Sequence, residues 1–229
     1  MSGSCASGAA PLEGVAMLTE LPRAIAGKPD RPDLGQLAVH MAELTRQIAM
    51  EPDAWTPERV SQMMGFFDVQ ASGWSERDRP ERHDALRDGL ARGGPFPDGV
   101  CLEVGAGTGN VTGDLEALFD RVVSIDLSRA MLLSAPTGAP QIQADASVLP
   151  VPSGSVAVIA LVNMFLFPDE VARVLQADGV LLWVSTNGDA TPIYLSPVDV
   201  LDALPAGWTG VSAQAGWGTW LTARRVAAP

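Results

Sequence analysis

The chain has 229 residues and is 47% hydrophobic, enough apolar side chain to fill the core of one large domain with an appendage, so a disordered chain is excluded. Fifteen Lys and Arg stand against 27 Asp and Glu, a net charge of −12, which is the wrong sign for neutralising phosphates and argues against nucleic acid or an anionic membrane as principal partner. Two cysteines, Cys5 and Cys101, make neither a disulfide framework nor a CxxC pair or four-cysteine metal site, and the expected setting is reduced and cytoplasmic.

Residues 1–16 are Gly-, Ala- and Ser-rich and read as a flexible arm without the basic start and apolar stretch of a signal peptide. From 34 to 48 the apolar positions Leu34, Leu37, Met41, Leu44 and Ile48 recur at helical steps and predict an amphipathic helix. A second helix is expected from Thr56-Pro57-Glu58, with Thr as N-cap and Pro in the first turn, to about Phe67, its Val60, Met63, Met64 and Phe67 turned inward. Met63, Met64, Phe66 and Phe67 are candidates both for core filling and for an adaptable apolar pocket. A polar loop with one aromatic, residues 73–80 around Trp74, precedes a helix over 81–91. The turn residues Gly93-Gly94-Pro95 and Pro97-Asp98-Gly99 then close the N-terminal segment.

Beyond Val100 short apolar runs alternate with helical stretches, which predicts a parallel sheet with crossover helices. Strands are expected at 100–104, 121–126, 141–144, 156–162, 179–185, 210–214 and 219–225, with a short helix over 169–175 and an antiparallel return at Ala215-Gly216. The most apolar run, 156–167, is too short to span a bilayer. The first strand ends in Glu103-Val104-Gly105-Ala106-Gly107-Thr108-Gly109-Asn110. Glycines there let the backbone turn sharply and approach a ligand, so a nucleoside-containing ligand is expected at the carboxyl edge of the sheet. Asn110 stands where a GxGxxG dinucleotide fingerprint needs its third glycine, and no Gly-Lys-Ser/Thr follows as a P-loop requires. The second strand ends in Asp126, placed for ribose hydroxyls, and Asp145 follows the third, placed for an adenine amine. Each Asp alone could equally be a cap or a solvated residue, whereas three carboxylates at three successive strand ends point to one site.

These stretches resemble the class I S-adenosylmethionine-dependent methyltransferases, and more narrowly the type 11-like small-molecule enzymes with the pattern ExGxGxG…DxSxxML…DAxxLP, at residues 103–109, 126–132 and 145–150. The resemblance implies a Rossmann-like, doubly wound, seven-stranded α/β sheet, mostly parallel with an antiparallel last strand, and N-terminal helices. It divides the chain into the arm (1–16), a helical lid or appendage (17–94) and the cofactor-binding core (95–229). It implies that Gly105, Ala106, Gly107 and Gly109 wrap the methionine end of S-adenosylmethionine, with Glu103 holding that loop and its ammonium contacts. Asp126 would take the ribose, Leu127 and Met131 the faces of the adenine, Asp145 and Ala146 its edge, and Asn163 the neighbourhood of the methyl group. Phe66, Phe67 and Trp74 match the aromatic stretch that helps close such sites.

The sequence departs from relatives that methylate amide or base nitrogens, because Asn163-Met164-Phe165-Leu166-Phe167 replaces their Asn/Asp-Pro-Pro-Tyr signature. Met164, Phe165 and Phe167 instead suggest an apolar rim and an apolar or aromatic small-molecule acceptor. No metal is expected, and in-line displacement at an activated methyl needs chiefly alignment, worth up to ~7–11 kcal/mol. The catalytic residue stays open; His83, His40 and Tyr194 are base candidates only for an acceptor that arrives protonated. A monomer or homodimer is expected. The second reading is a non-catalytic methyltransferase-like cofactor-binding or interaction subunit, and the third a nicotinamide-dependent oxidoreductase, which Asn110 disfavours.

Overall fold

The computed structural model describes residues 17–27, 29–31, 35–136 and 138–226, without the side chains of 35–38. The expected arm, Leu34 and the side chain of Leu37 lie outside the described residues. The strands β1 (Met17–Glu20), β2 (Val100–Val104), β3 (Arg121–Asp126), β4 (Gln141–Gln143), β5 (Val156–Val162), β6 (Leu175–Ser185), β7 (Trp208–Ala215) and β8 (Gly218–Arg225) form one sheet in the order β1-β7-β8-β6-β5-β2-β3-β4. Only β8 runs against its neighbours β6 and β7; the other pairs are parallel.

Burial on both faces explains why the inner strands are continuous apolar runs, since successive side chains alternate between the two faces. Leu102, Val104, Ile159, Leu161, Leu181 and Trp183 belong to one core cluster. Their neighbours Cys101, Val158, Ala160, Val180, Leu182 and Val184 belong to the other. The crossover helices α3 (Asp84–Arg92) and α4 (Thr112–Glu116) contribute Leu86 and Leu115 to the second cluster, while α6 (Pro168–Val174) and α7 (Pro197–Ala203) contribute Val171 and Val200 to the first. Between α4 and α6, the short helix α5 (Arg129–Leu133) is capped by Ser128, whose hydroxyl accepts from Met131 N at 3.1 Å.

The sheet has eight strands where seven were expected. The segment from Met17 adds β1 in parallel to β7, with Leu21 N donating to Ser212 O at 2.8 Å just beyond it, so a strand of the core sheet comes from the stretch expected to be helical appendage. β6 also starts earlier than expected: Val156 pairs with Leu175 and Val158 with Val180, so residues 176–179 bulge out before the apolar run begins. Gly216, with φ 55°, occupies the first central position of the two-residue loop joining β7 to β8, where a type II′ hairpin requires glycine.

N-terminal to the parallel half lie α1 (Gly35–Met50) and α2 (Pro57–Trp74). Thr56 caps α2 by accepting from Arg59 N at 3.4 Å. The helix continues past Phe67 to Trp74, so the residues expected to begin a polar loop form its last turn. Ile48 and Ala54 from this segment join Phe165 and Ile193 in a third apolar cluster, with Met41, Leu44, Trp55, Met63 and Phe67 packed against it. That cluster seats the N-terminal helices over the carboxyl edge of the sheet.

One buried polar knot holds α3 to β8. The fully buried Trp220 donates through Nε1 to Asp88 Oδ2 at 2.6 Å, and Arg92 Nε donates to Asp88 Oδ1 at 2.7 Å. Asp88→Ala strands both donors, and breaking such a pair costs about 3 kcal/mol. The expected fall in Tm is roughly 6–12 °C by scanning calorimetry, against about 2–4 °C per kcal/mol in a chain of this size. An unchanged Tm would show that the knot contributes nothing to stability.

Candidate cofactor and acceptor site

The neighbouring parallel strands β2 to β5 deliver their carboxyl ends to one edge, where a cavity of about 120 Å³ opens. The glycine loop forms one side. Gly105, Gly107 and Gly109 have φ of 76°, 57° and 74°, a region closed to most side chains. Gly105 N and Ala106 N donate to Ile125 O at 2.8 and 3.0 Å, and Gly107 N donates to Asp126 Oδ2 at 2.7 Å, so the end of β3 holds the loop open. The following α4 has only five residues.

Glu103 is almost fully buried. Its Oε2 accepts from Thr112 Oγ1 at 2.7 Å and Ser124 Oγ at 2.9 Å, while Oε1 is buried with no partner. Burial pushes the carboxyl up to about 7, the charges of Asp126 and Glu116 push the same way, and the two hydroxyls oppose them. A buried carboxylate oxygen without a partner, on a residue that lines a cavity, fits a cationic donor. Asp126 is also raised, first by burial, and accepts from Ser128 N at 2.8 Å through its other oxygen. The oxygens of Asp145 accept from Trp55 Nε1 at 3.0 and 3.1 Å.

Glu103, Gly105, Ala106, Gly107, Asp126, Leu127, Met131, Asp145, Ala146 and Asn163 all line the cavity. Gly109 does not, and contributes its backbone turn alone. Asn163 holds a φ of 51° because its side chain is committed: Oδ1 accepts from Thr186 N at 2.9 Å and Nδ2 donates to Thr186 Oγ1 at 3.0 Å, tying the end of β5 to the end of β6. Phe67, Trp74, Met164 and Phe165 line the cavity as well, Met164 beside Gly105 and Trp74 beside Gly107. Phe66 is 45% exposed and does not line the cavity, touching Phe67 edge-on at 5.2 Å. Adjacent residues of a helix point about 100° apart, so Phe66 and Phe67 cannot share a face.

Several wall residues had no signal of their own in the sequence: Trp55, Asp78, Arg82, Thr186 and Ile193. Of the base candidates, His83, His40 and Tyr194, none lines this cavity. His83 instead bridges Asp114 through Nδ1 at 2.5 Å and Asp78 through Nε2 at 3.1 Å, both of which accept, so the ring is held as imidazolium. Burial, the largest single influence on His83, opposes the charge, but the hydrogen bonds and charges of Asp114 and Asp78 together raise it above 6.5. A raised histidine stabilises the fold fully below its ordinary value, and that contribution fades as pH rises through the folded value. The Tm gap between wild type and His83→Gln is therefore expected to be widest below pH 6.5 and to shrink as pH rises above it. A gap independent of pH would refute the bridge.

Residues 102–183 match the family model of a methyltransferase domain. That match spans 82 of the 229 residues, from within β2 to within β6. Among solved structures, the DhpI–SAH complex is similar to this chain with a TM-score of 0.60 at 19% identity, covering 74% of this chain and 98% of that one. The DhpI–SAM–HEP complex gives a TM-score of 0.61 at 18% identity, over 74% and 99%. A SAM-dependent methyltransferase from Aquifex aeolicus gives 0.52 at 15% identity, over 74% and 98%. At these identities the likeness is one of fold. Comparison with curated protein sequences finds no match. Among the described residues, no helix is long and apolar enough to cross a membrane.

Proposed function

We propose that this chain is an S-adenosylmethionine-dependent methyltransferase that moves the methyl group to an O, N or C atom of an apolar, ring-bearing small molecule. The observation that carries the reading is one cavity lined both by three carboxylates at strand ends and by the apolar side chains of Trp55, Met63, Phe67, Phe165, Phe167 and Ile193. The residues present fit the cofactor. The glycine loop with Ala106 would receive its methionine end, and the orphaned oxygen of Glu103 would face the ammonium. Asp126 would take the ribose hydroxyls, Leu127 and Met131 the faces of the adenine, Asp145 and Ala146 its edge, with Asn163 close to the sulfonium.

The cofactor supplies a methyl group already activated for displacement. What remains for the chain is to align the acceptor and exclude water. The aromatic wall does both, since rings packed edge-on confine a flat apolar acceptor and leave little room for solvent. The N-terminal helices act as the lid: besides the apolar cluster, Ser75 Oγ donates to Thr108 Oγ1 of the glycine loop at 2.9 Å, and Ser128 Oγ to Asp68 Oδ1 of α2 at 2.5 Å.

The test is purified protein incubated with methyl-deuterated cofactor and a metabolite extract. An apolar or aromatic product should gain one labelled methyl group. Saturable S-adenosylhomocysteine binding without any labelled product would reject the acceptor class, and absence of binding would reject the site.

A further inference from the structure

Trp55 lies where the lid meets the strand ends. It follows a short 3-10 turn, Pro52–Ala54, whose Ala54 is buried and accepts from Arg59 Nη1 through its carbonyl at 2.5 Å, so the backbone leading into Trp55 is held. The indole ring packs against Phe165 and Phe167, each 5.5 Å away between centroids, at 49° and 65°. Its N–H is shared between the two oxygens of Asp145 at 3.0 and 3.1 Å, and Ser147 N donates to Oδ1 at 2.8 Å. A carboxylate offers about four lone-pair directions. The indole takes the inward directions of both oxygens and Ser147 a further one on Oδ1, which leaves acceptor capacity on the outer side of Oδ2.

We propose that Trp55 is a positioning residue for purine recognition: donated from the lid segment, its N–H fixes the Asp145 carboxylate so that one remaining oxygen direction selects an exocyclic amine. This rests on the reading that Asp145 faces the adenine edge. The consequence is that purine discrimination resides partly in the N-terminal helices, in a residue that touches Asp145 and acts through it. Were the indole N–H absent, the carboxylate would be oriented by Ser147 alone and could turn about its side chain, losing the fixed direction. Purine specificity is then coupled to lid closure, because the same ring that holds Asp145 is part of the apolar wall.

The experiment compares S-adenosylhomocysteine with S-inosylhomocysteine, in which a carbonyl replaces the amine, by calorimetric titration of the full chain. The wild type should prefer the adenosyl compound at least about tenfold, because an acceptor in place of the donor meets the carboxylate oxygen. Trp55→Phe keeps a ring in the apolar wall and removes the N–H. It should cut the preference about five- to tenfold by weakening the adenosyl compound alone. Trp55→His restores a donor and should recover part of the preference. A Phe variant with the wild-type ratio, or one that weakens both compounds equally, would overturn the proposal and leave Trp55 as packing. Wild type that binds both purines alike would overturn the role of Asp145 and Trp55 while leaving the cofactor reading standing. Wild type that binds neither would overturn both.

Discussion

Alanine at position 105 is expected to weaken S-adenosylhomocysteine binding more than about tenfold while the chain still folds. Gly105 has φ 76°, and a Cβ there would stand 2.5 Å from Met164 Sδ and 2.9 Å from its Cγ. An L-residue in this backbone region costs about 1–2 kcal/mol, which corresponds to a fall in Tm of roughly 2–8 °C. The overlap itself can be relieved, because a methionine side chain is flexible. Met164 is on the cavity wall, so relief moves its thioether within the site that is to receive the cofactor. Gly154→Ala separates the two effects. Gly154 has φ 62° and nothing within 4 Å of its added Cβ, so it should lose comparable stability with no change in binding. Equal losses of affinity in both variants would show that backbone strain, not the glycine loop, is responsible. Wild-type affinity in Gly105→Ala would remove the loop from the site.

The parts of this fold that were legible in the sequence are those whose pattern has only one solution. β2, β3 and β5 have the expected bounds because each is a short apolar run buried on both faces, between turn residues. β1 was not legible: four residues on an edge, exposed except for Leu18, show no alternation, and their pairing with β7 joins positions nearly two hundred residues apart. The same distinction runs through the site. Glu103, Asp126 and Asp145 announce themselves by ending successive strands, and all three line the cavity. Trp55 stands in a turn between helices with no periodic neighbours, and only the packing of the N-terminal helices brings it to Asp145, 90 residues away. Asp78, beside His83, is similar, since the link of His83 to Asp114 depends on how α3 and α4 lie on the sheet. The sequence pattern places a glutamate at 103 but does not say that one oxygen is satisfied by two hydroxyls and the other by nothing.

That unpaired oxygen is expected to make cofactor binding pH-dependent in a definite direction. Buried, and with Asp126 and Glu116 adding like charge, the Glu103 carboxyl sits at about 7, well above its ordinary 4.5. A cationic group brought to Oε1 favours the carboxylate, so binding lowers this value and releases a proton wherever the free protein still holds one. Affinity should rise with pH up to about 7 and level off beyond it. Titration at roughly pH 6.5 in two buffers of different ionisation enthalpy should report release of a large part of one proton. Glu103→Gln should abolish that release and weaken binding about ten- to hundredfold, the worth of a charge-assisted hydrogen bond. Stability should move the other way. Because the folded value is raised, ionising Glu103 costs the ligand-free fold increasing stability from its ordinary 4.5 up to about 7, and a neutral glutamine is spared that cost. Above pH 7 the ligand-free variant should melt higher than wild type, with the difference vanishing below about pH 4.5. A variant that loses both stability and affinity would show that Glu103 is a structural bond within the loop. Unchanged proton release would place the cation elsewhere.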